Sequence, residues 1–222
     1  MKHFILSLMV LLAIPTAGQA QGPSARFGIH LNIINADLNA TLSGIVGAPA
    51  PSATSVALEE IYGLGLGGGL HLDVDLGLLT LRVSGDYIRL APDNDKFANY
   101  VNSVAPGVPL TFESGGIISL WSGTLNAKLV VLPLPVVKPY ITGGAGFTYV
   151  NSTEAHLTLN YTPLPPFRIL QNQTVFTDNV GAGVDILLGP ITLYGEVKVT
   201  WIFLKEGTST YVPIGLVGIS FW

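Results

Sequence analysis

Four basic residues, Arg82, Lys128, Lys138 and Lys198, and five acidic ones, Asp73, Asp75, Asp86, Asp185 and Glu196, share one parity of segments that alternate between apolar and polar side chains. In an extended strand, residues two apart lie on the same face, so all nine charges are expected on one surface. Where such a surface closes into a narrow interior, each charge must be paired and hydrogen-bonded, because an isolated buried charge costs on the order of several kcal/mol. Two chemistries fit the set. One is a structural ion-pair network, since side chains alone can fill a barrel of eight strands. The other is a narrow or gated ion path along the same charges. Arg26, near one end, suits either.

Acid–base or nucleophilic catalysis would need a histidine held against a serine or an acid near a rim. His3 falls in an N-terminal leader, His30 and His71 fall on the inward parity, and His156 lies in a long connection near Glu154 with no evident nucleophile. No catalytic set follows. With no cysteine and no histidine-rich spacing, no metal or cofactor site follows either.

The elements that must position these residues are strands. Between 61 and 76, Tyr62, Leu64, Leu66, Leu70, Leu72, Val74 and Leu76 occupy one parity, while Gly63, Gly65, Gly67, Gly69, His71, Asp73 and Asp75 occupy the other. Eight such segments are expected, at about 26–36, 61–76, 79–90, 118–131, 136–150, 175–188, 191–204 and 211–222. Short connections (77–78, 132–135, 189–190) alternate strictly with longer ones (37–60, 91–117, 151–174, 205–210). Alternation of this kind describes an up-and-down meander with turns at one end and loops at the other. The inward glycines clear one wall; Tyr140, Tyr194, His30 and His71 are candidates for that space, with water or a small ligand as the alternative.

Composition decides which parity meets the core. The 222 residues are 49% apolar and only 11% charged, with a mean hydropathy of +0.52, against roughly 25% charged in a typical soluble domain. Outside the N-terminus no run reaches the ~18 apolar residues of a membrane helix. In a soluble barrel the glycine- and threonine-rich parity would have to face water, and it makes a poor surface. In a membrane barrel the apolar parity meets lipid and the mixed parity fills the lumen. Residues 1–20 read as a cleaved secretory leader: Lys2 and His3, an apolar stretch from Phe4 to Ile14, then Gly18-Gln19-Ala20. The mature barrel would be residues 21–222. Without Lys2 it has nine basic and fourteen acidic residues, a formal −5, which argues against nucleic acid as a partner.

These segments, Lys138-Pro-Tyr-Ile-Thr-Gly-Gly-Ala-Gly146, Asn179-Val-Gly-Ala-Gly-Val-Asp185 and the aromatic C-terminus resemble the small eight-stranded outer-membrane β-barrel family, of the OmpA transmembrane-domain and OmpX-like kind. The resemblance covers the chain from about Gln21. It implies an all-β, closed, antiparallel eight-stranded transmembrane barrel in the bacterial outer membrane, surrounded by its lipids and inserted by the barrel-assembly machinery. The terminal pattern departs from the family's: neither Trp222, Ser220, Gly218, Leu216 nor Phe221, Ile219, Val217, Gly215 is a clean apolar series, which leaves the parity of the last strand open. Tyr62, Trp121, Tyr149, Trp201, Phe203 and Trp222 are expected as aromatic girdles at the two interfaces. Asp178 falls on the lipid parity and is expected at the outer rim or a bulge; Pro139 and Pro213 are expected at rims or bulges. The expected role is non-enzymatic, structural or interactive through loops 37–60, 91–117 and 151–174, which could meet an extracellular ligand or protein. A narrow pore for small solutes or ions is the alternative, and a lipid-modifying enzyme a more distant one.

Overall fold

The computed structural model describes residues 24–34, 61–104, 106–107, 110–159, 161–203 and 209–222. The leader and the loop at 37–60 lie outside the described residues. Eight long strands close into one antiparallel barrel: β1 (Ser24–Ile34), β2 (Gly65–Asp75), β3 (Leu79–Leu90), β5 (Ile118–Val130), β6 (Val137–Ser152), β10 (Gln173–Leu188), β11 (Ile191–Phe203) and β12 (Ser209–Phe221). Each pairs with its neighbour in this series, and β1 pairs with β12 to close the ring. The order is an up-and-down meander, as the alternation of short and long connections requires. Closure leaves no free sheet edge in the barrel wall.

At the short-turn end, Gly77 (φ 92°) and Gly189 (φ 72°) adopt left-handed backbone that lets the hairpins reverse within two or three residues. At the other end, the connections after β3 and β6 carry folded elements of their own. Helix α1 (Asn94–Val104) follows Asp93, whose Oδ1 accepts from the backbone N–H of Asp95 (3.0 Å) and Lys96 (3.1 Å) as an N-cap. Phe97 and Val101, one turn apart, bury its inner face. Strand β4 (Leu110–Ser114) pairs with β7 (Glu154–Leu159), whose other edge takes β8 (Thr162–Pro163) and β9 (Phe167–Arg168). This helix and small sheet stand over the barrel mouth.

The outer face is apolar from end to end: Leu31, Val83, Leu125, Phe147, Val197 and Val217 are all more than half exposed. Their exposure coincides with burial of the charged parity, so the barrel is apolar outside and polar inside. That inversion requires lipid around it. None of the described helices is long and apolar enough to cross a membrane; the strands do it.

Several expectations need correction or completion. The second strand starts at Gly65, not Ile61, because the chain leaves the ladder at Gly63–Leu64. Tyr62 therefore turns inward: it is fully buried under the cap, bridges to Pro92, and donates its hydroxyl to the Gly116 carbonyl (2.6 Å), so it belongs to no girdle. In the last strand the inward series is Val212, Ile214, Leu216, Gly218 and Ser220, and Phe221 is the outward terminal aromatic. Trp222 lies past the strand with its ring over the Arg26 guanidinium, 4.9 Å from ring centre to Cζ, at the inner mouth rather than in a lipid-facing belt. Of its two expected settings Asp178 takes the first: it lies beside Trp201 toward the long-loop end, in an unbroken ladder with no bulge. Pro213 also sits in regular pairing, one residue beyond Ile214, where the β1 ladder stops.

Trp121, Tyr149, Trp201 and Phe203 do lie on the outer face toward the long-loop end. Tyr87, Phe147, Phe176 and Tyr211 join them through direct cross-strand neighbours: Tyr87–Trp121, Trp121–Tyr149, Phe147–Phe176, Phe176–Phe203 and Trp201–Tyr211. The Tyr87 and Trp121 rings pack with centres 4.4 Å apart and planes tilted by 44°. The belt runs from β3 round to β12 and is aliphatic across β1 and β2 (Ile33, Leu66).

Candidate functional site

The lumen is built in three storeys, each set by how far a residue lies from its turn. Nearest the short turns is the charged storey. The Gly77 hairpin fixes Asp73 opposite Arg82, and the pair is bidentate: Arg82 Nε to Asp73 Oδ1 at 2.7 Å and Nη2 to Oδ2 at 2.9 Å. Arg82 also reaches Glu196 at 3.6 Å and lies 4.7 Å from the Tyr194 ring centre. Lys128 donates to both oxygens of Asp185 (3.2 and 3.1 Å) and sits 4.0 Å over the Tyr140 ring. Tyr140 donates its hydroxyl to Glu196 at 2.9 Å. Arg26 holds Asp75 at 2.8 Å, and Asp75 also accepts from Thr80 at 2.5 Å.

Asp73, Arg82, Asp86, Lys128, Asp185, Glu196 and Lys198 are thus buried inside the barrel, while Asp75 and Lys138 are half-buried near its inner mouth. With Arg26 included, the inner surface carries five cations and five acids. A network this balanced and bidentate fixes register and fills space.

The inward glycines are the other half of this packing. An added Cβ would come within 2.5 Å of His30 Nε2 at Gly69, 2.5 Å of the Tyr140 hydroxyl at Gly183, and 2.6 Å of the Tyr194 ring at Gly218; at Gly28 it would overlap His71. Side-chain space removed on one strand is thus taken up by a ring from another.

In the middle storey, Asp86 accepts from Asn32 (2.9 Å) and pairs with His30 Nε2 (2.6 Å). His30 Nδ1 faces His71 Nδ1 at 3.4 Å, and His71 Nε2 meets Ser220 Oγ at 2.9 Å. Ser220–His71–His30–Asp86 has the form of a nucleophile with a relay behind it. Ser220 is only 1% exposed, enclosed in the lumen with the rest of this chain of contacts. Thr124, Asn126, Thr148, Thr177 and Asn179 complete this storey. Of these, Thr124, Thr148, Thr177 and Asn179 line a space of about 20 Å³ beside Lys198, the size of one water.

Nearest the long loops, the inward parity turns apolar. Ile34, Leu90, Ile118, Val150, Val212, Ile214 and Leu216 converge and pack with Tyr62, Phe97 and Val101 from the cap. Gly115 and Gly116 (φ 84° and 61°) let β4 turn into β5 tightly enough for Gly116 N–H to reach the Glu154 carbonyl at 3.2 Å, which ties the cap across the mouth. Sequence reasoning did not include this plug, although its members share the parity of the charges. His156 is exposed on β7, and no cluster of acids and histidines able to hold a metal occurs among the described residues.

A lipid-facing exterior around a closed, charge-paired and capped interior defines a membrane-spanning β-barrel. No family model matches the chain, and no curated protein does. Among solved structures it is similar to Neisserial surface protein A, at 16% identity over 90% of this chain and 99% of that one, TM-score 0.44. It is also similar to Ail, the attachment invasion locus protein of Yersinia pestis, solved with the heparin analogue sucrose octasulfate (12%, 90% and 96%, TM-score 0.41), and to the N-terminal β-barrel domain of Pseudomonas aeruginosa OprF (10%, 90% and 100%, TM-score 0.42).

Proposed function

We propose that this chain is a non-enzymatic, non-conducting barrel of the bacterial outer membrane whose folded long-loop end is its working surface. The observation that carries the reading is the apolar plug: Ile34, Tyr62, Leu90, Ile118, Val150 and Val212 are at most 1% exposed, directly beneath the cap. Below it, Arg82, Lys128, Tyr140 and Tyr194 occupy the cross-section in mutual contact. A hydrated path would have to break both layers. An outer-membrane location is supported by the apolar belt, the leader-like N-terminal sequence and the separation of short turns from long loops.

The cap also bears a mark of recognition. Tyr161, in the turn between β7 and β8, is fully exposed with φ 64°. A bulky residue held in left-handed backbone costs of order 1–3 kcal/mol, and here no buried ring contact offsets it. Such strain at a solvent-facing aromatic, followed by Pro163, Pro165 and Pro166, supports a presented contact for an external partner.

A narrow pore is the competing reading, favoured by the open cavity at the inner mouth. Planar-bilayer recording of the folded chain separates the two. We expect stable insertion without unitary current steps; reproducible steps from the purified protein would overturn the sealed-lumen reading.

A further inference from the structure

We infer that the short-turn mouth of the barrel is a binding site for a small oxyanion, a carboxylate or phosphate group presented from that side of the membrane. The mouth encloses a cavity of about 110 Å³, bounded by Ser24, Arg26, Asp75, Lys138, Asp185 and Trp222 among others. One water takes about 30 Å³ of liquid volume, so the space suits a polyatomic group.

Its donors and acceptors are not evenly used. Arg26 is 5% exposed, gives one terminal nitrogen to Asp75 (2.8 Å) and the other to Thr192 (3.3 Å), and is roofed by the Trp222 ring. Its Nε–H is buried and has no partner. Lys138 faces the cavity from β6, across the barrel from Arg26 on β1; it is half-buried, and no described residue pairs with its ammonium. Its cross-strand neighbour is Asp185, but Lys128 already engages both oxygens of that carboxylate. Asp75 is likewise occupied, by Arg26 and Thr80. The two acids lining the cavity are therefore engaged, and so are the terminal nitrogens of Arg26, which also lies 3.7 Å from Asp73; the Arg26 Nε–H and the Lys138 ammonium remain.

A buried N–H without an acceptor carries a desolvation cost that an acceptor removes. A guanidinium and an ammonium reaching one cavity from opposite strands call for an acceptor that is both charged and multidentate, which is the chemistry of a carboxylate or a phosphate. A cation would meet two positive groups and find both nearby carboxylates taken. The site is independent of the cap, so it stands whether or not the long-loop end binds anything.

The test uses the folded full chain in detergent micelles, titrated separately with inorganic phosphate and with acetate at constant ionic strength. The readout is the side-chain Nε–H resonance of Arg26, one of four arginines in the chain with Arg82, Arg89 and Arg168. We expect a saturable shift of Arg26 with at least one anion and none at Arg82. Response to phosphate alone would assign a tetrahedral group, and response to acetate alone a carboxylate. Lys138→Met should weaken the apparent affinity about tenfold, the size of one charge-assisted hydrogen bond, and Lys138→Arg should retain it. Absence of a saturable shift with both anions would overturn the site, leaving water as its occupant. So would an affinity unchanged in Lys138→Met.

Discussion

Replacing Arg82 with methionine is expected to destabilise the folded barrel by about 3–5 kcal/mol, the usual cost of removing one partner from a buried ion pair. The guanidinium makes both hydrogen bonds to Asp73, approaches Glu196, and covers the Tyr194 ring. Without it, Asp73 keeps only Arg26 at 3.7 Å and Lys128 at 3.9 Å. Those distances give Coulombic attraction but no good hydrogen bond. Glu196 keeps Tyr140. Because the penalty comes from the stranded carboxylate, the double variant Arg82→Met with Asp73→Asn should recover more than half of it. Equilibrium urea unfolding from lipid vesicles reads both effects. An Arg82→Met barrel as stable as the parent would mean that water fills the lumen and screens the pair.

The second large effect lies on the opposite face of the same sheet. Leu125, at the middle of β5, is more than half exposed on the outer surface. An arginine there should cost about 2–4 kcal/mol, as at a bilayer midplane, whereas an arginine at Ser119, on the same face but at the long-loop end of the strand, should cost only about 0–1 kcal/mol. In a barrel with water outside, both substitutions would be nearly neutral, since exposed surface changes usually fall within about 0.5 kcal/mol. The ratio between the two sites therefore reports depth in lipid, and the same unfolding measurement provides it.

Much of the barrel was legible because its signals are local. Strand β3 occupies the expected 79–90, and the Gly189–Pro190 reversal falls where the parity resets. Once a hairpin turn is located, register follows, so the Asp73–Arg82 pairing could be anticipated from their placement about Gly77. Lys128 with Asp185 could not, because β5 and β10 are not neighbours and their meeting depends on how the barrel closes. The exchange of inward glycines for His30, His71, Tyr140 and Tyr194 was visible as complementary volumes, though not as particular pairs.

Other features failed for identifiable reasons. Tyr62 continued the alternation on paper, but parity carries meaning only while the ladder lasts, and the ladder begins at Gly65. The last strand has apolar residues on both parities, because its inner face enters the plug at Leu216, Ile214 and Val212 while its outer face meets lipid. Neither count from the C-terminus could separate them. Trp222 has the residue type of a girdle, whereas its partner is the Arg26 cation. Helix α1 did have a signature, Pro92-Asp93 followed by Phe97 and Val101, that a strand-dominated reading passed over.

The inversion of apolar and polar faces is the claim on which the rest depends, and site-directed labelling tests it most directly. Single cysteines at Leu70, Leu125 and Val197, with a fourth at Asn99 on the exposed face of α1, can be labelled in the folded protein and reconstituted in vesicles. The structure predicts that labels at the first three are quenched by a lipid-borne quencher and shielded from a water-soluble one, with the reverse at Asn99. If Leu70, Leu125 and Val197 were instead open to the aqueous quencher and untouched by the lipid-borne one, the barrel would have its polar face toward lipid or no membrane around it, and this account would be wrong.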